Sequence, residues 1–547
     1  MEKMRLLFIV LLTSFFCHTK AETSVWDGSS YSFDWYTSGS GAIYHIKTAA
    51  DLAGLSRCFS TGYYLYGKFE GRTIILDNDI DLAGHEWTPI GFVDASNTYF
   101  EFAGVFDGNN HTIKGMSITK HNNKNIHVGL FGCNYSNSFQ VKNLRVEGDI
   151  NLNNINGIYD GGSIYAGGIV GYTWAGAIEN CQSNVNISVT LDNGQFRKAI
   201  CGGIVGHIEQ SNIVDLCKNC FSKGNINVTL NNSNEASVGG LIGQSTCQNA
   251  IISSCASQSN IKVANGRMSY AGGIAGQADF TRMENALFTG SINLEYPNYG
   301  YAGGMMGGDR TTPSYFKCCL VTGTITKTYG TAWYSPFVGS AFEGSTGDNC
   351  YFLSGIPNSR NFGIEMSESE LKSGNPLSGF DTSIWDFTEG SYPTLQFLKA
   401  VYTISVPTDN GRIGFCVKDG GSATIQLDTD DNWKLKAFYI DGIDYTEDVS
   451  NGRYTFSSVI SNHVISAIFE KDASGIRMVE RATSPQIKIA GRGAIEVENI
   501  TGRTGIKVYD INGKLVLTKS VSTNTKLNLN TGMYIIKIGE QTFKVSL

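Results

Sequence analysis

Ala166-Gly167-Gly168-Ile169-Val170-Gly171 is a short glycine-rich segment that returns along the chain with small changes. It recurs at residues 201–206, 238–243, 271–276 and 302–307, and a shorter relative lies at residues 128–132. Counted on the second glycine, successive copies are 39, 35, 37, 33 and 31 residues apart. A period of this size is typical of stacked-repeat proteins, in which each unit buries its apolar face against the next unit.

A second segment follows each glycine block and aligns in columns. One column is mostly asparagine and consists of Asn143, Asn180, Asn219, Ser254, Asn285 and Cys318. Another is isoleucine in every repeat: Ile150, Ile187, Ile226, Ile261, Ile292 and Ile325. Apolar and polar residues alternate around each isoleucine, which is the pattern of a strand with one buried face. Aligned columns predict that like residues stack at the ~4.8 Å spacing of neighbouring strands.

The asparagine column predicts a stacked turn, because asparagine tolerates the left-handed backbone region. The glycine pairs predict tight corners or a close approach of two backbones. The repeats contain no amphipathic stretch of helical period, which disfavours an α-solenoid. The predicted fold is therefore all-β, with a parallel β-helix (solenoid) followed by two small β-sandwich-like or β-grasp-like domains.

Composition and charge restrict the classes of partner. The chain has 547 residues, 64 of them glycine and only 9 proline, and 17% are charged. The net charge is −7 and there is no long basic run, which argues against binding to nucleic acid or to an anionic membrane surface.

Residues 1–21 are predicted to be a secretory signal peptide. Lys3 and Arg5 precede an apolar core at residues 6–16, and small residues precede the expected cleavage after Ala21. Lipidation of Cys17 is the alternative, which the large Phe16 before it disfavours. No later apolar run reaches the ~20 residues that a transmembrane helix needs. We therefore expect an exported protein that stays at the cell surface or is secreted.

Twelve cysteines remain after the signal peptide, since Cys17 is one of thirteen. Disulfides are permitted in an exported protein. Cys217 and Cys220 form a C-x-x-C pair that could be a redox or metal site. Both belong to apolar columns, however, so we favour small buried hydrophobic side chains.

The segments before the first glycine block carry a family resemblance. They read DNDIDL at residues 77–82, WTPIG at 87–91 and GVFDGNNHTIKG at 104–115. Together with the repeats they resemble the bacterial GLUG-motif proteins, from about residue 43 to residue 395. That resemblance implies a β-helix and a secreted surface protein, but no particular reaction.

Two later segments resemble other bacterial modules. Residues 401–470 are similar to the small all-β repeat related to the listerial internalin B-repeat, which implies a spacer or an adhesive module. Residues 486–547 contain YDINGKLV, LNTGMYIIKI and a terminal FKV, and they resemble the C-terminal sorting domain of Bacteroidetes type IX secretion. The latter resemblance implies the secretion machinery as a partner.

We accordingly divide the chain into seven parts. They are the signal peptide (1–21), an N-terminal cap with the first turns of the β-helix (22–125), the GLUG-type solenoid (126–345), its C-terminal cap (346–400), the small all-β module (401–470), a linker (471–485) and the sorting domain (486–547).

The sequence offers little evidence of catalysis. Acidic residues are scattered over different columns, apart from Glu179 and Glu284, which lie three repeats and so roughly 14 Å apart. His111 is interpreted as a turn residue. Residues 77–81 place three aspartates on one face of a strand. Their carboxylates could bind calcium, but we interpret them as polar residues of a turn and a sheet edge. We therefore predict no catalytic residue, no metal and no cofactor.

Aromatic residues in two regions suggest binding. One group consists of Tyr159, Tyr165, Tyr172 and Trp174, and is predicted to lie on a variable loop. The other, near the end of the solenoid, consists of Tyr296, Tyr299, Tyr301, Tyr329, Trp333 and Tyr334. Exposed aromatic faces suit sugar rings or protein partners. The alternative is that these side chains pack over the core.

The function predicted from these observations is that of a non-catalytic, exported adhesin or binding solenoid. Its partners would be glycans or surface proteins of a host or neighbouring cell. One rival is a polysaccharide lyase or glycoside hydrolase, because such enzymes are built on β-helices. Another is a passive structural spacer.

Overall fold

The structure is a computed structural model. It describes residues 23–37, 41–60, 67–93, 98–119, 126–153, 162–191, 196–209, 215–231, 233–247, 250–279, 281–309, 311–328, 330–358, 362–399, 401–408, 411–418, 421–427, 433–459, 463–471, 485–491, 494–500, 502–510, 514–530, 532–539 and 541–546.

A parallel β-solenoid forms the first part of the chain, as predicted. Each complete coil contributes strands to four parallel sheets, which we number along one coil, starting with the strand before the glycine pair. Sheet 1 precedes the glycine pair and contains Ile126–Val128, Gly162–Gly167, Phe196–Gly202, Glu235–Gly239, Met268–Gly272, Gly300–Gly303 and Ala332–Ser335. Sheet 2 follows the pair and contains Phe131–Asn134, Val170–Thr173, Val205–Ile208, Ile242–Ser245, Ala275–Ala278, Met306–Asp309 and Val338–Ser340.

Sheets 3 and 4 complete the coil on either side of the asparagine turn. Sheet 3 contains Ile43–Ile46, Thr73–Leu76, Val105–Asp107, Gln140–Lys142, Ala177–Glu179, Asp215–Lys218, Ala250–Ser253, Thr281–Glu284, Tyr315–Lys317 and Thr346–Asp348. Sheet 4 contains Ser24–Val25, Ile80–Asp81, Thr112–Ile118, Arg145–Leu152, Gln182–Thr190, Phe221–Lys223, Asn225–Thr229, Ala256–Ser257, Asn260–Ala264, Leu287–Phe288, Ser291–Glu295, Leu320–Val321, Thr324–Lys327, Tyr351–Leu353 and Ile364–Met366.

The predicted isoleucine column is confirmed. The six isoleucines are in register from Ile150 to Ile325 and are all buried. Burying an isoleucine side chain is worth about 1.5–3 kcal/mol. The column therefore supplies each coil with stabilisation that depends on the coil above and the coil below.

The predicted asparagine turn is confirmed too. Residues of this column, from Asn143 through Asn285, adopt φ values between 50° and 53°. Their amides form a side-chain ladder, in which Asn180 donates to Asn143 at 3.1 Å and Asn219 donates to Asn180 at 3.0 Å. The corner between sheets 3 and 4 is thus fixed by backbone conformation and by bonds between coils.

The glycine corners bring backbones together where no side chain fits. A Cβ atom added to Gly168 would collide with the carbonyl oxygen of Gly203 in the next coil. One added to Gly171 would lie 2.5 Å from the backbone nitrogen of Val128 across the corner. Glycine is therefore required by sterics in both the pair and the closing position of the repeat.

The N-terminal end of the solenoid carries a helix, Ala49–Ser60. Thr48 caps it, since its hydroxyl accepts a hydrogen bond from the backbone of Asp51 at 3.1 Å. Shorter elements accompany it: the helix Asp34–Thr37 and the hairpin strands Phe92–Val93 and Tyr99–Phe100.

Residues 367–398 lie along the outside of sheet 4 rather than only across its end. They include the helix Glu368–Leu371, the hairpin strands Trp385–Asp386 and Thr394–Leu395, and the 3-10 helix Gln396–Leu398. Their apolar side chains pack on an outward column of the solenoid, forming a cluster of Ala256, Leu287, Leu320, Tyr351, Leu371, Leu377, Phe380, Trp385 and Leu395. The Trp385 indole also donates to the Asn285 amide oxygen at 3.0 Å. We call residues 367–398 the flank segment.

Two small β domains follow, as the sequence predicts. The first has a five-stranded sheet of Gly411–Lys418, Val401–Thr408, His463–Lys471, Trp433–Ile440 and Ile443–Asp444, a pair of Gly421–Gln426 with Arg453–Val459, and the 3-10 helix Thr446–Asp448. The second has Gln486–Gly491, Ala494–Glu498 and Thr525–Asn528 in one sheet, and Leu515–Val521, Thr504–Asp510, Met533–Ile538 and Gln541–Ser546 in the other. Each domain has its own core, drawn from both of its sheets.

The substitution Gly240→Ala tests the glycine corner. Its added methyl would collide with the Gly273 carbonyl oxygen, and we expect the free energy of unfolding of the solenoid to fall by about 1–3 kcal/mol or more. Urea unfolding and hydrogen exchange of peptides from residues 235–279 measure the effect. Gly505→Ala is the control, since an added Cβ there meets open space. Equal, small effects of both substitutions would contradict the steric explanation.

Candidate functional site

An exposed row of aromatic rings lies on the outer face of sheet 1, near the end of the solenoid. Tyr270, Tyr301 and Trp333 are in register on three successive strands. Their ring centroids are 5.0 and 5.2 Å apart, with interplanar angles of 18° and 14°. Tyr299 lies parallel to Trp333 at 6.4 Å and 3°. We call these four residues the aromatic ladder.

Offset stacking leaves part of each ring of the ladder open to solvent. Trp333 is 41% exposed and Tyr299 is 51% exposed. Of the other residues predicted for this group, Tyr296 is exposed, whereas Tyr334 is half-buried against the core with the Lys327 ammonium 5.7 Å from its ring. Tyr329 lies outside the described residues. The structure thus brings Tyr299, Tyr301 and Trp333 together and adds Tyr270.

The first predicted group has a different environment. Tyr165 and Tyr172 lie on strands on either side of a glycine corner, and not on a loop. Their rings are 5.3 Å apart, and Tyr172 is buried, because His127 and His207 pack around it at 5.1 and 5.4 Å. The prediction that the Tyr172 side chain is exposed is therefore wrong.

Of the two remaining residues of the first group, the structure describes only Trp174. Trp174 is 36% exposed and stacks on Tyr135 at 6.5 Å. Tyr159 lies outside the described residues. We call the space between the outer faces of sheets 1 and 2, which Tyr165, Tyr172 and His207 fill, the corner crease.

The corner crease is polar as well as aromatic. His207 Nε2 lies 2.7 Å from the Glu209 carboxylate. Further along, the Lys198 ammonium donates to the side-chain oxygens of Gln244 and Gln277, both at 2.9 Å. Burial and, to a smaller extent, the neighbouring His207 lower the pKa of His127 to about 3. Burial also raises the pKa of the Tyr165 and Tyr172 hydroxyls. His127, Tyr165 and Tyr172 are thus held neutral, and side chains fill the crease.

A polar groove runs across five coils on the outer face of sheet 4, where each strand bends. Its volume is about 610 Å³. Its floor contains Gly224, Gly290 and Gly323, and its walls carry Asn184, Asn186, Lys223, Asn225, Gln258, Asn260, Thr289, Ser291, Thr322 and Thr324. We call this surface the amide groove. The sequence does carry a signal for it, because the residue before each column isoleucine is asparagine, serine or threonine from Asn186 onward.

The carboxylates of the solenoid have structural partners. Glu179 and Glu284 share a column three coils apart, as predicted. Asp279 accepts hydrogen bonds from Thr311, and Asp309 from Ser314 and Ser345. Burial raises the pKa of Asp309, which these hydroxyls counteract. Asp279 and Asp309 therefore link segments of neighbouring coils by hydrogen bonds.

The acids and the histidine predicted near the N-terminal end also have partners. Asp77 lies 2.7 Å from His45, and Asp79 lies 3.1 Å from His111, while Asp81 accepts a hydrogen bond from the Ala83 backbone. The three aspartates therefore bind separate partners.

The eleven cysteines that the structure describes in detail are all buried thiols. The sulfur atoms of Cys217, Cys220 and Cys255 lie within 4.8 Å of one another. Burial raises the pKa of Cys255 well above its usual value. Cys217, Cys220 and Cys255 are fully buried in the core of the solenoid, and their interpretation as core side chains instead of a redox or metal site stays a prediction.

Acid pH should destabilise the solenoid through His127. Unfolded histidine titrates near 6.5 and folded His127 near 3. The unfolded chain therefore binds a proton that the folded chain does not, and stability falls as the pH falls from 6.5 towards 3. We expect His127→Asn to lose about 2–3 kcal/mol less stability than wild type between pH 7.5 and 4.5, because each pH unit between the two pKa values is worth about 1.4 kcal/mol. Urea unfolding at both pH values measures this, with His85→Asn, at an exposed position, as control. Parallel losses in all three proteins would contradict it.

Comparisons with known proteins concern two segments. Residues 162–189 match the GLUG motif, and residues 487–546 match the secretion system C-terminal sorting domain. Neither match covers residues 401–470, so the resemblance to the internalin B-repeat stays a prediction. None of the curated proteins matches the chain.

A solved structure from Bacteroides ovatus, described as a "putative immunoglobulin A1 protease", is similar to 66% of this chain over 94% of its own length. The identity is 17% and the TM-score is 0.38. No helix among the described residues has the length and hydropathy to span a membrane. The chain therefore carries the GLUG motif within a β-solenoid and ends in a type IX sorting domain, which indicates export to the cell surface or secretion through that machinery.

Proposed function

We propose that this exported protein is a non-catalytic adhesin that binds glycans through its solenoid. The observation that carries the proposal is the aromatic ladder, whose rings are stacked, aligned and partly exposed at the surface. Clustered exposed apolar side chains usually mark an interaction site.

The chemistry of the ladder favours sugars. A pyranose ring has a face of C–H groups bordered by hydroxyls. The rings of Tyr299 and Trp333 supply parallel apolar faces, and the phenol hydroxyl and indole N–H at their edges can hydrogen-bond to hydroxyls. A sugar can therefore stack and bond to the same side chain.

The placement of the ladder on strands also supports binding. The backbones of Tyr301 and Trp333 are paired within sheet 1 and their rings stack on each other at 5.2 Å, so less side-chain freedom remains to be lost when a ligand binds. The cell-surface or secreted location that the sorting domain indicates would place the ladder before host or neighbouring-cell glycans. A surface protein of such a cell is the alternative partner.

The rival function, a polysaccharide lyase or glycoside hydrolase, has less support. Glycoside hydrolysis needs two carboxyl groups within about 5–10 Å across the scissile bond. Asp279 and Asp309 lie on neighbouring coils, but their carboxylates accept hydrogen bonds that link loops, and Glu179 and Glu284 lie three coils apart. Release of reducing ends or of unsaturated sugars from a bound polysaccharide would favour the rival.

Trp333→Ala tests the proposed function. We expect the purified full-length protein to bind members of a glycan array, and the variant to bind them at least about tenfold more weakly, because a stacking face is lost. Phe342→Ala is the matched control, since Phe342 is an aromatic residue of the same region that is 48% exposed but lies outside the ladder. Titration calorimetry on the best glycan measures both.

Two results would overturn the proposal. One is an array on which the wild-type protein binds no glycan. The other is an equal loss of affinity in Trp333→Ala and Phe342→Ala, because that would make the ladder no different from any exposed aromatic side chain.

A further inference from the structure

We propose that the amide groove binds an extended, uncharged polysaccharide that lies along the axis of the solenoid. This inference rests on the proposed glycan-binding function and adds a second site on a different sheet. The groove is about 610 Å³ in volume and crosses the strands of five successive coils.

The wall of the groove is a hydrogen-bonded ladder of side chains. Asn186, Asn225, Asn260 and Ser291 are in register on sheet 4. The Asn225 amide donates to Asn186, and the Asn260 amide donates to Asn225, both at 3.2 Å. The Ser291 hydroxyl donates to Asn260 at 2.9 Å. These contacts hold each side chain in one orientation before any ligand arrives, which lowers the entropy lost on binding.

The ladder leaves hydrogen-bonding capacity for a ligand. A primary amide has two N–H donors and two acceptor lone pairs. Each bond along the ladder uses one N–H, and Asn225 and Asn260 are exposed. A row of donors therefore faces solvent at the ~4.8 Å repeat of the coils.

The floor keeps the groove open. A Cβ atom at Gly290 would collide with the Ser259 carbonyl oxygen, and one at Gly323 with the Gly290 carbonyl oxygen. Glycine is therefore required at Gly290 and Gly323 by the close approach of neighbouring coils, and these two positions add no side chain to the groove.

The lining favours a neutral sugar polymer over other classes of ligand. Lys223 is the one charged side chain among the lining residues, so a polymer with an anionic group on every unit finds a single cation over five coils, and a cationic polymer finds no carboxylate. A peptide strand needs unpaired backbone or apolar side-chain pockets, whereas these strands are hydrogen-bonded to their neighbours and the lining has no large apolar side chain. Hydroxyls on every sugar unit both donate and accept, which matches amides and hydroxyls on every coil.

The length of the groove sets a length for the ligand. Four coil spacings separate Asn186 from Thr324, which is roughly 19 Å. Affinity should therefore rise with the length of a neutral oligosaccharide until it spans the five coils, and then level off. Because no ion pair is involved, affinity should change little with salt concentration.

The double substitution Asn225→Ala with Asn260→Ala tests the groove in the full-length protein. The control is Asn227→Ala with Asn293→Ala, which removes two outward amides from the same sheet beyond the groove. Calorimetry with linear neutral oligosaccharides of increasing length should show about a tenfold loss of affinity in the groove variant, because two sets of ligand hydrogen bonds are removed. The control should match wild type, and thermal unfolding checks that both variants remain folded.

The outcomes separate this inference from the proposed function. If Trp333→Ala weakens binding and the groove variant does not, the groove proposal is overturned and the aromatic ladder stands. If the groove variant weakens binding and Trp333→Ala does not, the groove stands and the ladder fails as the carrier of binding. An equal loss in the groove variant and its control, or groove-dependent binding of an anionic polysaccharide or a peptide instead, overturns the groove proposal.

Discussion

The close approach of two backbones at each glycine corner is the constraint on which the solenoid depends. Sheets 1 and 2 meet so tightly there that a single methyl group would collide with a carbonyl oxygen or a backbone nitrogen. Because the corner is the same in each repeat, the strands that follow it begin in the same place and their side chains stack in register. The buried isoleucine column follows from that register.

Much of this could be predicted from the sequence because the relevant chemistry is local and repeated. A left-handed turn favours asparagine wherever it occurs, so Asn143, Asn180 and Asn219 identify the corner without knowledge of the remaining structure. The isoleucine column identifies the buried face in the same way. Repetition made both signals visible, because each residue could be compared with its equivalents in neighbouring coils.

The outer surface was harder to predict, since it depends on how neighbouring sheets are inclined. Tyr172 and Trp333 are both aromatic residues near the corner between sheets 1 and 2, but the first is buried beside His207 while the second is 41% exposed. Tyr270 precedes a glycine pair just as Tyr301 does, and comparison of those repeats could have identified it. The contact of Trp385 with Asn285 joins residues 100 positions apart, for which the sequence pattern offers no signal.

The flank segment has a consequence for how such a protein can change in length. A solenoid ordinarily grows or shrinks by duplication or deletion of whole coils, since each coil is equivalent to the next. Here Ala256, Leu287, Leu320 and Tyr351 lie on consecutive coils and pack in one cluster with side chains of a single continuous segment. Gain or loss of a coil within that span would shift the apolar residues of sheet 4 relative to those of the flank segment. A change nearer the N-terminal end would leave this packing unchanged. The flank segment therefore fixes the number of coils that it covers. Coils can be gained or lost more easily in the part of the solenoid that it does not cover.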